Sequence, residues 1–134
     1  MEIQAINIAD VSELKSKLVD QGFAVYQFNT SAVHDRTSFF QAALASLPMG
    51  DAAHDPDFSW RFPQNWSALS DFLWQGLSEQ QTPVAIVWMG SDELRSNNPE
   101  LYNEAIDAMA GVSVDSVESG NLPHILFLTR SEMV

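Results

Sequence analysis

The first residues in this sequence whose types and spacing could do recognition chemistry are Asp71 and Trp74. They lie in "FPQNWSALSDFLWQGL" (62–77), three residues apart, a spacing that puts two side chains on one face of a helix. A carboxylate beside an indole is not a proton-transfer pair. It suits a binding patch, because tryptophan is enriched at interface hot spots. Two other stretches have residue types that could do chemistry. "HDPD" (54–57) has one histidine and two carboxylates; a metal site needs more ligands converging, and such loops are usually solvated turns. "GSDELRSNNPE" (90–100) follows an apolar run, where open α/β sheets often bind ligands. It lacks a glycine-rich phosphate cradle, a P-loop lysine and a nucleophile elbow, and Ser91 and Asp92 are expected as helix caps. His34 is isolated, and His124, behind Pro123 at a strand start, reads as structural. With no nucleophile–base pair in view the expectation is a non-enzyme without cofactor or metal. A small-molecule enzyme using the 90–98 loop would require a deep polar pocket there.

The helix that must carry Asp71 is expected over 65–77. One residue every 100° puts Trp66, Leu69, Phe72, Leu73, Gly76 and Leu77 on a broad face to be buried. Ser67, Ser70, Asp71, Trp74, Gln75 and Ser78 share the other. Exposing a tryptophan is costly unless something covers it. Two covers are open: the 49–61 loop, with Phe58 and Trp60, or a partner.

Around this helix the pattern alternates. Asp10 with Glu13 resembles a capping box ahead of Val11, Leu14 and Leu18, and Gly22 suits the left-handed residue that ends such a helix. "FAVYQF" (23–28) reads as a strand. Thr30 and Ser31 are candidate caps for "HDRTSFFQAALASL", which Pro48 stops. "MGDAAHDPDFSWR" (49–61) reads as a surface loop. "PVAIVWM" (83–89) is apolar enough for a strand covered on both faces. Asn98–Pro99 is a good start for "ELYNEAIDAMA", "GVSVDSVESGN" is ambiguous between helix and loop, and "HILFLT" (124–129) is a third strand. "EIQAINI" (2–8) is a candidate fourth. Strands alternating with helices imply an α/β layer with a small parallel sheet.

Composition narrows the function classes. The chain is long enough for one domain with a real core, and 46% hydrophobic content is that of a globular protein. It has no cysteine, which excludes disulfides and thiolate chemistry. No basic-then-apolar leader and no span of ~20 apolar residues is present, so a soluble cytoplasmic protein is expected. Its 18 acidic residues outnumber 6 basic ones for a net charge of −12. Such a chain is repelled by nucleic acid and anionic membranes and attracted to basic proteins, although acidity also serves plain solubility. Nothing in the pattern fixes the oligomeric state.

Residues 62–88 resemble the barstar family of ribonuclease inhibitors. There an aromatic-rich turn enters a short helix of pattern Asn-(Trp/Leu)-Asp-Ala-Leu-x-Asp-x-Leu, followed about ten residues on by a Pro-led apolar strand. Here these stand as "NWSALSDFLWQGL" and "TPVAIVW", and "FAVYQF" and "HILFLT" fall where the family has its first and last strands. The resemblance covers about residues 23–130. It implies a two-layer fold, a three-stranded parallel sheet packed against helices, with residues 1–22 a helical extension and 49–61 an inserted loop in a single 1–134 domain. It also implies a protein that binds a basic partner, a ribonuclease-type toxin, and occludes its active site with the 60–78 turn and helix, as an immunity protein does. Carried over by position, Asp71 matches the dominant inhibitory carboxylate. Ser67 stands where the family has an aspartate and Ser70 where an interfacial tryptophan is usual; Gln75 replaces a glycine. Trp74, one turn on, is the candidate substitute for the missing aromatic. Trp60 and Phe62 belong to the entering turn, and Glu118 lies near a family acidic contact. A non-inhibitory interaction domain on the same scaffold is the alternative, because one carboxylate is kept and one lost.

Overall fold

The computed structural model describes residues 2–49, 66–80, 82–112 and 124–130. Among them four strands form one sheet: β1 (Glu2–Asn7), β2 (Ala24–Asn29), β3 (Val84–Met89) and β4 (Ile125–Arg130). The order is β1-β4-β3-β2, and every neighbouring pair is parallel. Glu2 sits opposite Ile125, Ala85 opposite Ile125 and Ala24 opposite Val84. The α/β architecture with a parallel sheet packed against helices is as expected, but the sheet has four strands rather than three. The extra strand comes from the N-terminal extension, which is therefore not only helical. Its residues Ile3 and Ile6 are partly buried against the core, which gives the segment apolar area to gain by joining the sheet edge.

Helices α1 (Val11–Asp20), α2 (Arg36–Ser46), α3 (Trp66–Ser78), α4 (Ser91–Asn97) and α5 (Pro99–Ala110) connect the strands. Alternation along the strands sorts the core into two clusters. Val84, Ile86, Trp88, Leu126 and Leu128 face α2, α3 and α5 with Phe28, Phe39, Leu69, Leu73, Ala105 and Met109. Ala85, Val87, Ile125 and Phe127 point the other way, onto Val11 and Leu18 of α1. The continuous run Val84–Trp88 is buried throughout, which is the double cover its composition predicted. Each of its valine and isoleucine side chains contributes about 1.5–3 kcal/mol.

Several caps differ from expectation. Asp10 makes no side-chain cap; it closes a 3-10 turn, Ile8–Asp10, that Asn7 caps by accepting from the Ala9 amide at 2.9 Å. Helix α2 is capped by Asp35, in a reciprocal box with Ser38, rather than by Thr30 or Ser31. The Ser38 bonds also hold the Asp35 carboxyl below its usual range. Thr30 is buried instead and accepts from the Trp88 indole at 2.9 Å. The residue before α4 is Gly90, with φ +80 and no side-chain cap, while the Ser91 hydroxyl donates to the Thr129 carbonyl at 2.7 Å. Asn98 and Pro99 start α5 as predicted, Asn98 accepting from the Leu101 amide. Gly22 has φ +92, in the left-handed region.

His124 is structural. It is buried, and its Nδ1 accepts from the Val84 amide at 2.9 Å where β3 begins. That bond requires the neutral ring, and burial lowers its pKa.

Candidate functional site

Helix α3 sorts as its periodicity requires. Leu69, Leu73, Gly76 and Leu77 are buried, and the Gly76 position is set by its neighbour. A Cβ there would lie 1.6 Å from the Pro48 carbonyl oxygen, so the chain leaving α2 rests directly on the α3 backbone. Trp66 and Phe72, expected to be buried, are only half-buried and flank the core. Trp66 has a polar use: its indole N–H donates to Glu104 Oε2 at 3.1 Å. Arg36 pairs with the same oxygen at 3.1 Å, and its guanidinium lies 5.8 Å from the Trp66 ring centre. These contacts tie the starts of α2 and α3 to α5.

On the opposite face Ser67, Asp71, Trp74 and Gln75 are exposed. Trp74 is 49% exposed, against 0% for Leu73 beside it. Ser70 is half-buried, and its hydroxyl donates to the Ala108 carbonyl at 3.0 Å. That bond staples α3 to α5 and engages the position where the family resemblance led one to expect an interfacial aromatic. Trp60, Phe62 and Glu118, and residues 50–61 of the 49–61 loop with its "HDPD" run, lie outside the described residues; Met49, at its start, is buried.

Between α3 and α5 runs an open groove of about 490 Å³, lined by Trp66, Ser67, Ser70, Asp71, Glu104, Asp107 and Ala108. The structure thus brings together three of the predicted positions, Ser67, Ser70 and Asp71, and leaves Trp74 and Gln75 on the helix beyond the groove. Glu104 and Asp107 were not anticipated as part of the site. They sit off the buried stripe of Leu101, Ala105 and Met109, which marks an exposed acidic face, but nothing in sequence says that this face meets Asp71. Glu104 is paired with Arg36, and Asp71 and Asp107 leave the groove negative, so it favours a cationic side chain and disfavours an anion. Asp71 is in no ion pair among the described residues, so its charge is open to a partner. The described residues hold no group of three or more metal-ligating side chains and no helix long and apolar enough to cross a membrane.

These features define a parallel α/β protein in which α3 presents a polar face with Asp71 and Trp74 to solvent. The model of the family described as barstar (barnase inhibitor) matches residues 23–127, most of the chain, and the protein belongs to that family. The match starts at Phe23, so β1 and α1 lie outside it. Searches of curated proteins and of solved structures gave no match.

Proposed function

We propose that this protein inhibits a ribonuclease-type enzyme, as an immunity protein does, by placing the outer face of α3 in the enzyme's basic active site. The observation that carries the reading is the exposed row Ser67, Asp71, Trp74 and Gln75 on the one helix that bears the family motif. Asp71 offers its carboxylate to an arginine, lysine or histidine of the partner, and Trp74 supplies the apolar area that anchors the contact. By the family resemblance Trp60, Phe62 and Glu118, which lie outside the described residues, are further proposed partner-binding positions. Glu104 and Asp107 extend the negative field across α5. Occlusion requires no catalysis, cofactor or metal from the inhibitor. The net charge of −12 speeds encounter with a basic enzyme and makes the rate fall with salt.

The test is a ribonuclease inhibition assay with the enzyme captured from the native host. Wild-type protein inhibits stoichiometrically, and an Asp71→Ala, Trp74→Ala double variant does not. Equal inhibition by both would remove the outer face of α3 from the mechanism. The second reading is a protein-interaction domain that no longer inhibits a nuclease. It draws support from the Ser70 hydroxyl being engaged with Ala108 and from Ser67 standing in place of an aspartate. Capture of a non-nuclease partner that still depends on Asp71 would favour it.

A further inference from the structure

The N-terminal extension changes the winding of the sheet. From β1 the chain leaves on the α1 face and crosses to β2 at the far edge. It then returns strand by strand through β3 to β4, with α2 to α5 on the opposite face. The connections after β1 and after β3 therefore part to opposite sides, and the end of β4 lies between them. In open α/β sheets such a divergence at the carboxyl ends opens a crevice where ligands bind. A pocket of about 140 Å³ occupies this place, lined by residues that follow all four strands. Ile8 follows β1, Asn29 and Ser31 end and follow β2, Glu93 follows β3, and Arg130 ends β4. Gly90 lets the walls meet: a Cβ there would lie 2.9 Å from the Ser31 amide nitrogen, and its φ is +80.

The lining selects a ligand class. Arg130 is in no ion pair among the described residues, and neither is Glu93. Asp92 adds a second carboxylate. A simple anion meets two carboxylates and a simple cation meets a guanidinium, so neither alone is favoured. A molecule carrying both charges satisfies both ends, and Ile8, 45% exposed, and Met89 offer it an apolar wall. The Asn29 oxygen already accepts from the Ser31 amide at 2.9 Å and hydroxyl at 2.7 Å, which leaves its NH₂ as a donor for a carboxylate. A cavity of roughly 150 Å³ accommodates a benzene-sized molecule, close to the volume here. We infer that this switch-point pocket binds a small zwitterion with the chemistry of a free amino acid, its carboxylate toward Arg130 and its ammonium toward Glu93. Ile8 and β1 lie outside the family match, so the extension supplies one wall of the site, and residues inside the match supply most of the rest. The site is separate from the α3 face, so its success or failure leaves the inhibitor reading untouched.

The test is a titration of ¹⁵N-labelled full-length protein with L-alanine and L-valine, with acetate, ethylamine and N-acetyl-L-alanine as single-charge controls. Saturable shifts confined to the amides of Gly90, Glu93, Thr129 and Arg130 are expected with the two amino acids and not with the controls. Arg130→Gln, at a half-buried strand end, and Glu93→Gln, at an exposed position, should each weaken binding about tenfold or more while the rest of the spectrum is retained. No saturable shift with either amino acid up to about 20 mM, weaker than any useful affinity for so small a site, would overturn the inference. So would acetate or ethylamine matching alanine, or both variants binding as wild type does.

Discussion

On the inner face of α3, Leu69, Leu73 and Leu77 are buried to within 1% and Gly76 admits the Pro48 carbonyl. On its outer face Trp74 stands half in solvent, and Asp71 is in no ion pair among the described residues. Both faces belong to the same 13-residue helix, yet different demands chose their residues. Space chose the inner ones, because each has neighbours that fix its size. No packing demand among the described residues accounts for the outer ones, and an exposed tryptophan has an apolar area that a partner can use. A residue the fold does not need is available for recognition, and that separation can be tested from either side.

The largest effect is expected at Gly76. Gly76→Ala places a methyl where the Pro48 oxygen now lies, and since backbone must move on both sides, the variant should fail to fold or lose most of its cooperative thermal transition by circular dichroism. Leu73→Ala, which leaves a cavity in a fully buried position, should cost about 2–5 kcal/mol in urea unfolding. Ser70 lies between the two faces. Ser70→Ala removes the bond to the Ala108 carbonyl and should cost about 1 kcal/mol, with little change in binding if the hydroxyl serves only the staple. Trp74→Ala should leave stability within about 0.5 kcal/mol of wild type, the value for a surface position. A Trp74 variant as destabilised as Leu73→Ala would break the comparison, since it would mean that the indole is covered within the chain.

A pH dependence sharpens the same contrast from the core side. His124 is buried and its folded pKa is lowered. Its contribution is therefore complete above the unfolded value of about 6.5 and is lost as the pH falls below it, because the unfolded chain binds the proton more readily. Against a His124→Asn variant, which keeps an acceptor for the Val84 amide, wild type should lose stability as the pH falls below about 6.5. Parallel curves for the two proteins would show that the imidazole does not titrate against the fold.

How much of this was readable from residues follows from what each signal depends on. The helix at 66–78 and the doubly covered strand at 84–89 were legible, because periodicity and a run of β-branched residues are local. The caps of α1, α2 and α4 were misassigned for a related reason. Thr30, Ser91 and Asp10 are good caps in isolation, but Thr30 and Ser91 are drawn into buried bonds with Trp88 and Thr129. The fourth strand was legible only as a candidate, because "EIQAIN" has too little apolar area to declare itself and becomes a strand by pairing with β4. The family motif located Asp71, Ser67 and Ser70. It did not reveal Glu104 and Asp107, because their approach to Asp71 depends on α5 lying beside α3 and on the Ser70–Ala108 bond between them.

The most direct measurement is the affinity of Asp71→Ala for the cognate ribonuclease, by titration calorimetry at fixed ionic strength, with thermal stability measured on the same sample. A carboxylate desolvated against a basic group is worth about 2–5 kcal/mol on truncation, so the account predicts at least a ~30-fold loss of affinity with the melting temperature unchanged. Affinity within about twofold of wild type, with the fold intact, would contradict the claim that the outer face of α3 is the inhibitory surface.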